Sequence, residues 1–218
     1  MKDKFIKWEK WIDVIYKEII ELSSARYIFN EVQEIIKSNE SIQKPSAFYN
    51  FLANSYVAWT LSSIRRQVKI HKDSISLAAL LKEMYEFPEL ITRERYIKHY
   101  KDSNLEDILG NLDFDRITGK DRTFLDPQIP FNDWQNLKYV TSVCEKYSDY
   151  RISHYDKRKV NYIPTFKDLN NCIDLLEELL KKYYLIFKAT AIAYLPPIFQ
   201  YDWKVIFTEK WMKENNGT

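Results

Sequence analysis

The fold class of this chain is decided by residues 165–188, TFKDLNNCIDLLEELLKKYYLIFK. Apolar side chains recur there at intervals of three and four residues, a spacing that lines one face of an α-helix. Thr165 and Asp168 open the stretch as a helix start, and Pro196 and Pro197 are predicted to terminate it. The core-facing residues of this predicted helix are Leu169, Cys172, Ile173, Leu176, Leu180, Tyr183 and Phe187.

The same spacing recurs towards the N-terminus. Residues 5–37 predict one long helix or two abutting helices, because Ser23 and Ser24 lie in the middle of the pattern. Ser46 is a plausible N-cap for a helix that ends near His71, and a third helix, SISLAALLKEMYEF, stops before Pro88. We therefore predict an all-α protein built as a helical bundle.

Composition supports one helical domain over residues 1–218. The chain has 45% hydrophobic residues, including 12 Phe, 16 Tyr and 6 Trp, which is ample material for a core. Only 3 Gly occur, so few positions suit the positive φ angles of hairpin turns. We expect an N-terminal helix or helix pair over 1–40, bundle helices over 46–110 and 131–191, and a short helix over 200–212.

Residues 102–130 differ in character from the rest. They contain seven acidic and three basic residues, Gly110 and Gly119, and end with Pro127 and Pro130. These features predict a loop-rich excursion. A calcium loop starting at Asp113 is rejected, because its glycine and glutamate positions hold Thr118 and Phe124.

Charge and cysteine content indicate the compartment. The net charge is +2 and the pI is near 8.3, so any contact with nucleic acid has to be local. The two cysteines make no disulfide framework, which favours a reducing environment. The N-terminus lacks the apolar run of a signal peptide, and no stretch is apolar enough to span a bilayer. We expect a cytoplasmic protein without membrane contact.

The helix that starts near Phe131 and is predicted to run to about Lys159 changes character along one face. Its apolar positions continue, at the same spacing, into Arg151 and His154. A buried guanidinium without a partner is costly, so this end is predicted to face a cleft, a partner or an anionic ligand. The segment around it, YRISHYDKRK, combines rings and cations that suit RNA: Asp149, Tyr150, Tyr155, Asp156, Lys157 and Arg158 are the candidate RNA-binding residues.

A structural explanation of the same residues stays open. Lysine and arginine often occur at helix C-termini because cations are favoured there. A second basic group at the end of an earlier helix has the same alternative explanation, and it comprises Arg65, Arg66, Lys69, His71 and Lys72.

Other chemistries are disfavoured. The 3 histidines have no helical metal-ligand spacing, so no metal is predicted, and scattered glycines cannot form a phosphate-binding loop. No cofactor is predicted. Cys144 belongs to an apolar stripe and is expected to be a core residue, not a nucleophile.

At YRISHYDKR the sequence resembles the signature helix of the HEPN superfamily, and more narrowly the AbiU-type abortive-infection proteins. The order of the helix over 48–70, the SISLAALLKEM segment and the closing DWKVIFTEKW is also similar to the AbiU-type layout. The HEPN signature places an arginine, next to a polar residue, four to six residues before a histidine. His154 matches the histidine and Asp149 the polar residue, whereas Ser148 stands at the arginine position.

The resemblance implies an HEPN-like helical bundle that forms a homodimer, and either of two functions. One is a metal-independent endoribonuclease of a defence or toxin–antitoxin type system, with His154 as the catalytic histidine in a dimeric cleft. Arg151, which shares the helix face of His154, is the candidate to replace the missing signature arginine as the second catalytic residue. The other is a non-catalytic module that binds RNA or a protein such as a cognate antitoxin.

Overall fold

The computed structural model describes residues 2–101, 106–153, 156–157, 159–196 and 199–210. Within these ranges the chain is an all-α helical bundle. It contains seven α-helices: α1 (Lys2–Ser38), α2 (Ala47–Val68), α3 (Leu77–Glu86), α4 (Arg93–Ile97), α5 (Glu106–Thr118), α6 (Gln128–Tyr147) and α7 (Phe166–Lys188). Short 3₁₀ turns lie at Glu40–Ile42, Pro88–Leu90, Lys98–Tyr100 and Trp203–Phe207.

The helix α7 is the centre of the core, as its sequence predicts. The Thr165 hydroxyl accepts from the backbone N–H of Asp168, whose carboxylate accepts in return from the Thr165 N–H, and this capping box fixes the start of the helix. The helix ends at Lys188 and not at the prolines, because Ala189 adopts a left-handed conformation with φ 47°. All seven predicted core residues of α7 are buried.

The helix α1 is continuous through Ser23 and Ser24, which settles the choice between one helix and two. Ser24 Oγ donates to Ile20 O at 2.5 Å, so this hydroxyl is satisfied within the helix. The helix packs against α7, α2 and α3, while α6 packs against α2, α3 and α7. The bundle therefore consists of α1, α2, α3, α6 and α7.

Residues 106–118 form α5, so helix up to residue 110 agrees with the predicted bundle helices over 46–110, whereas the prediction of an irregular stretch is wrong for residues 111–118. Phe114 and Thr118 of this helix are buried. Asp113 accepts a hydrogen bond from Tyr100 Oη and Asp115 pairs with Arg93, so these two acidic residues join α5 to the preceding elements. Gly110 permits a close approach to α4, because a Cβ at this position would lie 3.1 Å from Ile97 Cγ1. The glycine thus allows helix packing here and does not mark a turn.

Two other boundaries differ from the predictions. The helix α6 begins at Gln128, since proline is tolerated in a first helical turn and Pro130 lies in it. The predicted C-terminal helix over 200–212 is instead a 3₁₀ turn over Trp203–Phe207, capped by the Asp202 side chain. Ile206 and Phe207 of this turn are 48% and 38% exposed, and the residues from 211 on lie outside the described residues.

Candidate functional site

The signature segment begins in a π turn. After Tyr147 the α-helical pattern of α6 changes to a wider turn over Ser148–Ile152, in which Ser153 N donates to Ser148 O at 2.8 Å. The prediction that this helix runs to about Lys159 is therefore wrong. A π turn is less favourable than continued α-helix and occurs frequently at functional sites.

The π turn is held against the end of α2 by ion pairs. Arg65 Nε donates to Asp149 Oδ1, and Lys69 Nζ lies 2.9 Å from Asp149 Oδ2 and 2.7 Å from Glu145 Oε1. The end of α2 and the π turn, which are 84 residues apart in sequence at the contact between Arg65 and Asp149, are thereby neighbours. We call Arg65, Lys69, Glu145 and Asp149 the junction cluster.

The ion pairs shift the pKa values of the cluster. Burial alone would raise the pKa of Asp149, but the hydrogen bonds and charges of Arg65 and Lys69 outweigh it and hold this pKa below its ordinary value. The hydrogen bond to Glu145 is the main cause that raises the pKa of Lys69, with Asp149 adding to it. Both groups are therefore charged at neutral pH.

Replacing Asp149 by asparagine is expected to reduce stability in a pH-dependent way. The folded-state pKa of Asp149 is lowered, so its contribution is present above the ordinary carboxyl pKa of about 3.9 and is lost as pH falls through the folded value. Partial exposure limits the loss at pH 7 to roughly 1 kcal/mol. Urea unfolding from pH 3 to pH 7 measures it; a difference between Asp149→Asn and the parent that stays constant down to pH 3 would contradict the assignment.

The control for this experiment is Asp73→Asn. The Asp73 side chain is 71% exposed, and its ion-pair partner within the described ranges is His71 at 3.9 Å. Its effect on the free energy of unfolding is expected to be under about 0.5 kcal/mol.

Arg151 closes the segment that follows the π turn. Its Nη1 donates to Tyr150 O at 2.9 Å and to Asp156 O at 2.8 Å, and Asp156 N donates to Tyr150 O at 3.0 Å. The guanidinium is half-buried and joins the two ends of this loop. The Arg151 side chain therefore stabilises the backbone conformation that brings Tyr150 and Asp156 together.

The remaining candidate residues differ in their exposure to solvent. Tyr150 and Asp156 are half-buried, whereas Lys157 is exposed. Lys159, on the same segment, is exposed as well. The predicted residues His154, Tyr155 and Arg158 lie outside the described residues.

The position of Ser148 explains why an arginine is absent there. Ser148 is 0% exposed, and its hydroxyl has no hydrogen-bond partner in the part of the chain that the structure describes. A guanidinium at this position would enter the packed contact between α2 and the π turn. The arginine of the HEPN signature does not fit this site.

Sequence reasoning missed that Arg65 and Lys69 belong to the site. A signal for it was present, because Arg65 and Lys69 are four residues apart, as are Glu145 and Asp149. Each pair shares one helix face, so the two faces are complementary in charge. Nothing in one sequence, however, says which acidic pair faces which basic pair.

Other kinds of chemistry find little support at this site. Cys144 is a fully buried core residue, as predicted, with its Sγ 3.6 Å from Cys172 Sγ. Across the described ranges, no group of three or more His, Cys, Asp or Glu side chains is arranged to hold a metal ion. In the same ranges, no helix combines the length and the apolar composition that crossing a bilayer requires.

Comparison of the chain with protein-family models, curated proteins and solved structures gives no match. Membership of the HEPN superfamily therefore stays a prediction from the sequence pattern.

Proposed function

We propose that this chain is an HEPN-like RNA-binding protein of a defence or toxin–antitoxin type system. The observation that carries the proposal is the pairing of Arg65 and Lys69 with Asp149. This pairing brings the basic end of α2 next to the π turn, from which the basic segment after α6 continues. We call Arg65 and Lys69 together with the described residues of 149–159 the basic junction.

The basic junction has the features that a local RNA contact requires. Lys157 and Lys159 are exposed, and exposed lysines bind phosphates mainly by charge. Arg65 binds Asp149 through Nε, and its terminal nitrogens have no partner among the described residues. With a net charge of only +2, RNA affinity has to come from such a patch and not from the whole surface.

RNA cleavage is the second candidate function. The observation that favours it is a guanidinium supplied by Arg65 next to Asp149, the polar residue of the signature, where the chain itself has Ser148. In a homodimer, two His154 side chains would flank a phosphodiester, and one would remove the proton of the ribose 2′-hydroxyl. A guanidinium would stabilise the charge that develops on the phosphorane. Arg151, the arginine first assigned to this step, holds backbone carbonyls with its Nη1.

Binding of a fluorescent single-stranded RNA, followed by anisotropy over a range of salt concentrations, tests the proposal. The parent is expected to bind with an affinity that falls steeply with salt. Lys157→Ala is expected to weaken binding to all sequences similarly and to reduce the salt slope by about 1. The control is Lys10→Ala, because Lys10 is an exposed lysine of α1 without an ion pair among the described residues.

The same RNA, incubated without divalent metal and run on a gel, distinguishes the two candidates. Cleavage that His154→Ala abolishes identifies a ribonuclease. Binding without cleavage identifies a binding module. Absence of any salt-dependent RNA binding would reject both and would leave a protein partner, such as an antitoxin, as the ligand of the basic junction.

A further inference from the structure

A cavity lies at the corner between α2 and α3, next to the basic junction. Its volume is about 330 Å³, within the range of small-molecule sites. Four basic side chains line it, Arg65, Arg66, Lys69 and His71, and Ile70 and Ile75 contribute apolar surface. No carboxylate is among its described lining residues. The lining therefore favours an anionic ligand with a small apolar part.

Several hydrogen-bond donors of the cavity have no partner among the residues that the structure describes. Arg66 donates from Nε to Glu18 at 2.9 Å and from Nη2 to Ser63 Oγ at 3.1 Å, which leaves Nη1 without a partner in the described ranges. His71 Nδ1 accepts from Asp73 N at 3.3 Å, and its Nε2 likewise has none there. Glu18 therefore orients the side chain of Arg66, and the backbone N–H of Asp73 orients the ring of His71.

We infer that this cavity binds a phosphomonoester, either at the end of an RNA chain or on a free mononucleotide. For the end of an RNA chain, this inference rests on the RNA binding proposed above. Arg65 and Lys69 belong to both the cavity and the junction cluster, so a strand on the basic junction can place its terminal nucleotide in the cavity.

Charge distinguishes a terminal phosphate from an internal one. A phosphomonoester carries a charge of about −1.5 to −2 at neutral pH and has three strong acceptor oxygens. A phosphodiester carries a single charge, and both of its ester oxygens continue into the chain. Arginine forks bind the terminal group through parallel hydrogen bonds, so the cluster of donors from Arg65, Arg66 and His71 matches the monoester better.

Three RNAs of one sequence, with a 5′-phosphate, a 3′-phosphate or two hydroxyl ends, test the inference by anisotropy. One phosphorylated form is expected to bind about tenfold more tightly than the hydroxyl form, as charge-assisted bonds to arginine imply. Arg66→Gln and His71→Gln are expected to reduce this preference to under about threefold, so that phosphorylated and hydroxyl-ended RNA bind each variant with similar affinity. The matched control is Arg122→Gln, which removes an exposed, ion-paired arginine elsewhere.

The outcomes separate the cavity from the basic junction. Equal affinity for all three RNAs would overturn the inference and leave the proposed RNA binding intact. Absence of RNA binding would overturn the proposed RNA binding and, with it, the inference for the end of an RNA chain. Titration with adenosine 5′-monophosphate, followed by NMR, then tests whether the cavity binds a free nucleotide. Chemical-shift changes at His71 that are smaller in Arg66→Gln would support binding of the free nucleotide. If millimolar nucleotide causes no such changes, the inference is overturned completely.

Discussion

Replacing Ser148 by arginine, which restores the arginine of the HEPN signature, is expected to lower the free energy of unfolding by at least about 3 kcal/mol. Ser148 is fully buried where the π turn packs against α2, so the longer side chain has to displace packed atoms. The new charge would also lie away from water. The variant is expected to be less stable than the parent and not a better ribonuclease.

Ser153→Arg is the matched control, because Ser153 is exposed and lies directly after the same turn. It adds the same charge at little cost, and its free energy of unfolding should stay within about 0.5 kcal/mol of the parent. Urea unfolding followed by circular dichroism measures both variants. A Ser148→Arg protein as stable as Ser153→Arg would mean that the signature helix is packed differently.

Trp8→Ala is expected to destabilise the bundle by about 3–5 kcal/mol, as truncation of a large buried ring usually does. Trp8 is 0% exposed, and its Nε1 donates to Glu83 Oε2 at 2.7 Å. Its ring also lies edge-on to Phe187 at a centroid distance of 6.5 Å. One side chain thus connects α1 to both α3 and α7.

Trp59→Ala gives the comparison, since the same truncation is made at a ring on the surface. Trp59 is 36% exposed and borders a groove between α1 and α2. A loss of about 1 kcal/mol or less is expected for this variant. Thermal and urea unfolding measure the two tryptophan variants side by side, and equal losses would contradict the assigned role of Trp8 in the core.

The regular parts of the fold could be predicted because local patterns determine them. The stripe in α7 and its capping box are both visible in sequence. By contrast, the continuation of α5 beyond residue 110 was missed, because Gly110 has a packing role, which depends on the position of Ile97 in another helix. The end of α7 was also missed, because its left-handed position is occupied by Ala189 and not by the glycine that usually marks a helix C-terminus.

The candidate site was predictable only in part, because its contacts join residues that are distant in sequence. The change from apolar to basic residues at Arg151 identified the segment after α6, but not its π turn. The hydrogen bonds from Arg151 to Tyr150 O and Asp156 O depend on how the chain folds back. The contribution of α2 depends on tertiary pairing with Asp149, which sequence spacing suggests but cannot assign.

We propose that Arg65 and the segment after α6 form one RNA-binding surface. Equilibrium binding of single-stranded RNA to the parent, to Arg65→Gln and to the control Arg122→Gln tests this proposal, with circular dichroism to confirm that all three are folded. We expect salt-dependent binding that Arg65→Gln weakens by about fivefold or more and Arg122→Gln leaves unchanged. Equal affinities for the three folded proteins, or no binding by the parent, would contradict it.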